Sequence, residues 1–154
     1  MVYLTLEGGA IVANVFDTAR YILEHSGTMS TMKLQKLCYY SQAWSLVWDD
    51  SPLFGEDFQA WASGPVCSEL FNKTKSKYSV SASDEVGGDG DLSDSQKGTI
   101  NKVLEYYGCH DAQWLSQLTC MEDPWRNARA EASSSVDCAN TITKENMAMY
   151  YGGL

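Results

Sequence analysis

The chain has 154 residues, of which 44% are hydrophobic and 12% aromatic, so it can bury one core of ordinary size and is not disordered as a whole. Its 11 basic and 20 acidic residues give a net charge of −9 at pH 7, which argues against a general nucleic-acid binder because such proteins make many cationic contacts to phosphates. No apolar run approaches the roughly 18 residues of a membrane span, and Met1–Ala10 lacks the basic start and apolar core of a signal peptide, so we expect a cytoplasmic protein without a membrane contact.

The first two predicted elements are helices. Asn14 can cap a helix over about Val15 to His25, and Gly27 is placed to end it in a left-handed conformation. Thr31 offers a hydroxyl to a second helix over 32–48, which contains neither Gly nor Pro. Because this second helix is apolar on nearly every side, we expect it to be central in the domain.

A small β element is predicted near 53–62, where Pro52 and Gly55 punctuate the chain and apolar residues alternate with polar ones. Pro65, which has a ring-fixed φ and no N–H, then suits the first position of a helix running to about Lys75. A second short strand at 78–82, closed by Val80, is compatible with the pattern.

The segment 79–95 differs in composition from the rest of the chain. It is rich in Ser, Gly and Asp, and it carries five acidic residues with no Lys or Arg among them. We expect a flexible, solvated acidic loop within a single domain that spans 1–154. The spacing of its aspartates does not match a calcium-binding loop.

The second half of the chain is again helical. Ser93 with Gln96 forms a capping-box pattern, and Asp111, Pro124 and Thr143 each mark a further helix start. The fold class is therefore mainly α: a compact single-domain bundle of six or seven helices around the helix 32–48, with the small β element beside it.

The cysteines point to a reducing compartment, because they are odd in number, widely spaced and contain no CxxC pair. We expect them to be small buried apolar residues; they are Cys38, Cys67, Cys109, Cys120 and Cys138. Only His25 and His110 supply imidazoles. We therefore expect no metal, no cofactor, no catalytic residue and no enzymatic activity. The less favoured alternatives are a hydrolase and a zinc site formed by Cys67, Cys109, His110 and Cys120.

Several segments of the chain form an ordered set of motifs: Met32–Trp44, Pro52–Phe54 with Gln59–Trp61, Gly64–Val66, Leu118–Thr119 with Glu122–Arg126, and the closing Met147 with Tyr150–Tyr151. Together they resemble the Panacea domain of SocA-like antitoxins and phage-associated, GepA-like proteins. Two positions depart from the family pattern, because Ser45 and Cys120 stand where a His is frequent. A function that depends on those imidazoles is not expected in this chain.

The resemblance implies an antitoxin that neutralises a co-encoded protein toxin from a neighbouring gene by direct contact. Two alternatives stay open: an adaptor that delivers the toxin to a protease, and a phage-encoded acidic inhibitor of a host nucleic-acid-binding enzyme. The oligomeric state is not predicted.

The candidate partner-binding residues are polar or aromatic residues of these motifs: Lys33, Gln35, Lys36, Tyr40, Trp61, Gly64, Pro65 and Trp125. Tryptophan and tyrosine are frequent anchors of interfaces, but they are equally common at the edge of a core. The polar residues at the start of helix 32–48 could contact a partner or bind neighbouring loops from within. Gly64-Pro65 could serve only to set a turn.

Overall fold

The computed structural model describes residues 13–88, 91–131 and 140–154. Asp89, which belongs to the predicted acidic loop, Cys138 and the segment Met1–Ala10 lie outside these residues. The helices are α1 (Val15–Ser26), α2 (Thr31–Trp48), α3 (Ser68–Thr74), α4 (Asp94–Tyr107), α5 (Ala112–Cys120), α6 (Asp123–Glu131) and α7 (Lys144–Gly152). The predicted mainly α fold is confirmed, and the described residues form seven α-helices where six or seven were predicted.

Helix α2 is the centre of the fold. Every residue from Leu34 to Ala43 is buried, and α1, α4, α5 and α7 all pack against this helix. The cap differs from the prediction, because Ser30 and not Thr31 accepts the hydrogen bond from the backbone N–H of Lys33 at 3.1 Å. Thr31 is the first residue of the helix instead.

The other predicted N-caps are present in the structure, whereas Gly27 ends α1 with φ 81° and ψ −167°, outside the predicted left-handed helical conformation. Asn14 and Asp17 form a reciprocal capping box at α1, and Ser93 and Gln96 form another at α4. Asp111 and Thr143 cap α5 and α7 through one side-chain hydrogen bond each, accepted from the backbone N–H three residues on. Short-range capping chemistry therefore fixes where these helices begin.

The β structure consists of two small antiparallel sheets. Strands β1 (Met29–Ser30) and β4 (Ser79–Val80) form a pair, which confirms the short strand closed by Val80. Strands β2 (Phe58–Trp61), β3 (Gly64–Val66) and β5 (Thr141–Ile142) form the second sheet in the order β3-β2-β5. The small β element predicted within 53–62 thus corresponds to β2.

The predicted helix start at Pro65 is wrong. Pro65 lies in β3 opposite Ala60, and α3 begins only at Ser68. Ala60 directs its N–H to the carbonyl of Asn140 and its own carbonyl to Arg129. Because Ala60 turns both groups away from β3, the missing N–H of Pro65 leaves no gap in the ladder, and an edge strand accommodates the proline.

The acidic segment 79–95 contains more structure than its composition predicts. It includes β4 and a 3-10 helix at Ala82–Asp84, and Val86 and Leu92 are buried. Lys77 forms an ion pair with Asp84 at 3.4 Å. Local contacts thus anchor the described part of the segment, and its flexibility stays a prediction.

Candidate functional site

The first turn of α2 is attached to the end of α4. The Lys33 ammonium donates a 2.7 Å hydrogen bond to the carbonyl oxygen of Gly108. Gly108 follows the last residue of α4, where helix carbonyls lack partners and a cation is favourable. Lys33 thus satisfies a helix C-terminus from a neighbouring element.

Two glutamines of α2 hold neighbouring chain segments. The Gln35 amide donates to the carbonyl of Cys67 at 3.1 Å and accepts from the N–H of Cys67 at 2.8 Å. The Gln42 amide accepts from the N–H of Leu53 and donates to the carbonyl of Phe54, both at 2.7 Å. Both amides are buried. Each supplies the hydrogen bonds that the buried backbone N–H and carbonyl groups of these segments would otherwise need from another part of the backbone.

Lys36 is fully buried, and its Nζ has no hydrogen-bond partner. Burial lowers the pKa of this ammonium to about 8, although the nearby Cys120 thiol acts in the opposite direction. The side chain lies beside Gly64, which has φ +114° and whose Cα faces Cε of Lys36 and Oγ1 of Thr119. Glycine at 64 therefore makes room for the lysine.

Glu122 forms the centre of a buried tyrosine cluster. One carboxylate oxygen accepts 2.7 Å hydrogen bonds from the hydroxyls of Tyr40 on α2 and Tyr151 on α7. The Tyr151 hydroxyl also lies 3.2 Å from that of Tyr39. Burial raises the pKa of Glu122, whereas the two tyrosine hydrogen bonds lower it.

The cluster continues through stacked rings towards α4. Tyr40 stacks on Tyr107 with the ring centres 4.0 Å apart, and the Tyr107 hydroxyl accepts a 3.0 Å hydrogen bond from the indole of Trp44. Burial raises the pKa of Tyr107 to about 12. The cluster therefore joins α2, α4, α7 and the turn between α5 and α6.

Trp125 connects α6 to the hairpin β2-β3. Its indole N–H donates to the carbonyl of Trp61 at 2.7 Å, while the neighbouring Arg129 donates to the carbonyl of Ala60 at 3.0 Å. The ring of Trp61 packs edge-on against Phe71. Trp61 and Trp125 are both half-buried, so each also presents part of its ring to solvent.

The predicted site residues fall into three groups. Gln35, Lys36 and Tyr40 face the interior, where Lys36 meets Gly64. Trp61 and Trp125 meet at the hairpin that contains Gly64 and Pro65, and Lys33 lies apart at the end of α4. As partner-binding residues, all eight remain a prediction; they are Lys33, Gln35, Lys36, Tyr40, Trp61, Gly64, Pro65 and Trp125.

The prediction omitted three residues that organise this site: Gln42, Trp44 and Glu122. Two features of the sequence could have pointed to them: Gln42 is a polar amide inside an otherwise apolar helix, and Glu122 is an acidic residue directly before the start of α6. Neither signal reveals which distant residue it contacts.

The prediction that the cysteines are buried holds for Cys38 and Cys67 but is wrong for Cys109, which is exposed; Cys120 is half-buried. Burial raises the pKa of the Cys67 thiol to about 12 and that of Cys120 above its usual value. His110 stacks on Trp114 with ring centres 3.4 Å apart. Within residues 13–88, 91–131 and 140–154, no three His, Cys, Asp or Glu side chains come together in a metal-binding group.

Among residues 13–88, 91–131 and 140–154, none of the helices has both the length and the apolar character of a membrane span. A model of the family described as antitoxin SocA-like, Panacea domain, matches residues 34–126, which is more than half of the chain. The match runs from α2 into α6 and leaves α1 and α7 outside. No curated protein and no solved structure matches the chain.

Proposed function

The chain belongs to the family of SocA-like antitoxins with a Panacea domain, and from this membership we propose that it neutralises a protein toxin by binding it directly. The toxin is the product of a neighbouring gene, and the complex forms in the cytoplasm. The net charge of −9 favours a protein partner over nucleic acid.

The observation that carries this proposal is the distribution of polar and apolar groups. The polar side chains of α2 are largely bonded inside the protein, whereas several large apolar side chains of the surrounding helices lie in solvent. Tyr106 is 68% exposed, Met121 69% and Met149 76%. Exposed aromatic and methionine side chains are typical of surfaces that bind proteins.

We propose further that the protein catalyses no reaction. The carboxylate of Glu122 is buried and bonded to two tyrosines, and the ammonium of Lys36 is closed off from solvent. Neither group is placed to reach a substrate. Both lie inside the packing around α2 instead.

The eight sequence-derived residues are assigned to the partner site in two roles. Lys33, Trp61 and Trp125 are partly exposed and can contact the toxin themselves. The buried members hold the hairpin and the helices that carry these contacts; they are Gln35, Lys36, Tyr40, Gly64 and Pro65.

Coexpression tests the proposal. Each flanking reading frame is induced alone and together with this chain, and a frame-shifted copy of the gene serves as the control. We expect one flanking product to stop growth, the intact chain to restore it, and the two proteins to copurify. Failure of rescue with every flanking frame would contradict the proposal.

Toxin stability separates direct neutralisation from delivery to a protease. Toxin synthesis is shut off in rescued cells, and the toxin level is followed by immunoblot. Direct binding leaves the toxin present in an inert complex. Rapid, protease-dependent disappearance of the toxin would support the adaptor function instead.

A further inference from the structure

The side chain of Lys36 ends beside the last turn of α5. Lys36 and Thr119 both lie against Gly64, so the lysine of α2 and the threonine of α5 meet at the same point. Cys120 follows Thr119 directly and is the last residue of α5. The Lys36 ammonium is close enough to the Cys120 thiol to interact with it electrostatically.

A second cation acts on the same sulfur from α6. The Arg129 guanidinium interacts electrostatically with Cys120 while it donates a hydrogen bond to the carbonyl of Ala60. Lys36, Arg129 and the Thr119 hydroxyl all favour a negative charge on the sulfur, and no carboxylate in the part of the chain that the structure describes opposes them. Although the chain has a net charge of −9, the surroundings of this sulfur are cationic.

In the reduced protein, Lys36 has no anion to bind. Its Nζ is buried and lacks a hydrogen-bond partner. Burial raises the pKa of the Cys120 thiol, so the sulfur is neutral at pH 7 and is only a weak acceptor. A buried charged donor without a partner is costly, and a negatively charged oxygen on the sulfur would remove that cost.

The Cys120 sulfur is also accessible to a small reagent. Among the described cysteines, Cys38 and Cys67 are buried, Cys109 is exposed and Cys120 is half-buried. Cys120 is the only one of these four that combines access from solvent with a neighbouring buried ammonium. A reagent of the size of a peroxide can reach it without the protein unfolding.

We propose that Cys120 is an oxidation site, at which a hydroperoxide converts the thiol to a sulfenate, and that Lys36 is the positioning residue whose ammonium binds the new oxygen. The sulfur forms a bond to one peroxide oxygen as the O–O bond breaks, so the sulfur is oxidised and the peroxide is reduced to an alcohol or water. The thiol proton goes to the leaving oxygen, and the sulfenic acid then releases its own proton to solvent.

Both cations act on the charge that develops in this reaction. Negative charge builds up on the leaving oxygen and stays on the sulfenate oxygen, where Lys36 and Arg129 stabilise it at a site partly closed to water. Because burial keeps the resting thiol neutral, the reactivity of Cys120 depends on these cations and not on a large population of thiolate. The site is independent of the proposed function, since the reaction requires no toxin.

Peroxide treatment of the purified, reduced chain tests the site. Hydrogen peroxide is removed at intervals, iodoacetamide caps the remaining thiols in denaturant, and dimedone in a parallel sample identifies sulfenic acid. Tandem mass spectrometry then locates each modification, because trypsin leaves Cys109 and Cys120 together in one peptide, 103–126. The exposed Cys109 is the control within the same chain.

We expect Cys120 to form a sulfenic acid in the wild-type chain, and its oxidation rate to fall about tenfold or more in Lys36→Met, which removes one group that stabilises the developing anion. The oxidation rate of Cys109 should be equal in the two proteins. Thermal melts check that Lys36→Met is folded. Absence of oxidation at Cys120, or an equal rate in wild type and Lys36→Met, would overturn the proposal.

The pKa of Lys36 gives a second, native-state readout. NMR of Cε, assigned by its loss in Lys36→Met, follows the titration before and after oxidation in a Cys109→Ser, Cys138→Ser background. Since a sulfenate favours the ammonium, we expect the pKa of Lys36 to rise from about 8 towards its usual 10.5, and Cys120→Ser to abolish this rise. An oxidised Cys120 with an unchanged pKa of Lys36 would show that the lysine does not bind the new oxygen.

Discussion

Gly64 leaves the space that the Lys36 side chain fills, because a Cβ at Gly64 would lie 2.8 Å from Cε of Lys36. The same Cβ would lie 2.9 Å from Oγ1 of Thr119. The glycine of β3, the lysine of α2 and the threonine of α5 are thus fitted to one another.

Replacing Gly64→Ala should destabilise the protein by about 2 kcal/mol or more, since alanine disfavours positive φ and its methyl group overpacks the site. Urea unfolding measures the loss. Gly55→Ala is the matched control, because nothing lies within 4 Å of a Cβ there and its φ is not in the left-handed range. Equal stability of the two variants would show that Gly64 is not closely packed against Lys36 and Thr119.

Replacing Lys36→Met should stabilise the protein at pH 7. The folded pKa of Lys36 is about 8, against its usual 10.5. Protonated Lys36 therefore costs about 3 kcal/mol, because each pKa unit corresponds to about 1.4 kcal/mol. The unfolded chain binds more protons between these two values, so wild-type stability gains with rising pH from this group.

The stability gap between Lys36→Met and wild type should therefore be full below pH 8 and shrink as the pH approaches 10.5. Paired urea unfolding experiments at pH 7 and pH 9.5 check this, since the other titrating groups are common to both proteins. Lys75→Met, at an exposed position, is the control and should show no such gap. A difference in the free energy of unfolding that stays constant with pH would contradict the lowered pKa of Lys36.

Replacing Glu122→Gln should remove a pH-dependent contribution to stability. The folded pKa of Glu122 is raised above 4.5, so its favourable contribution is present below pH 4.5 and is lost as the pH rises through the folded value. Relative to wild type, the glutamine variant should become more stable over that rise. Thermal melts of both proteins from pH 4.5 to 8 measure the difference, and a parallel pair of curves would count against a raised pKa.

Replacing Gln35→Met should destabilise the protein by about 1–3 kcal/mol, because it leaves the buried N–H of Cys67 without a partner. The Cys67 carbonyl loses one of its two hydrogen bonds and keeps the one from the N–H of Phe71. Methionine keeps the approximate volume, which isolates the hydrogen bonds from packing. The exposed Gln113→Met serves as the control. Similar midpoints for both variants in urea would show that water or a shifted backbone replaces the amide.

The elements that depend on local chemistry could be predicted from the sequence. Asn14, Ser93, Asp111 and Thr143 cap helices because their side chains bond to backbone N–H groups three residues on, and that information is local. The central position of α2 also follows from its own composition, since a helix that is apolar on all sides must be covered. The family itself was identified from the same helix and three later motifs.

The elements that depend on distant partners could not be predicted. Pro65 suits both a helix start and an edge strand, and only the orientation of Ala60 across the sheet decides between them. The burial of Lys36 and Glu122 also depends on distant partners. The sequence alone does not predict it, because a charged residue is normally expected at the surface. Trp48 shows the converse, since it is 48% exposed although the apolar pattern of α2 continues to it.

The Gln42 amide also affects the free energy with which the chain would bind its proposed protein partner. By bonding to Leu53 and Phe54, it fixes the connection between α2 and β2 in the isolated chain. The conformational entropy of that connection is therefore lost during folding, and binding of the proposed protein partner does not add this loss again. Contacts made along it should behave as rigid-body recognition, with fast association and little change in heat capacity beyond that of the buried surface.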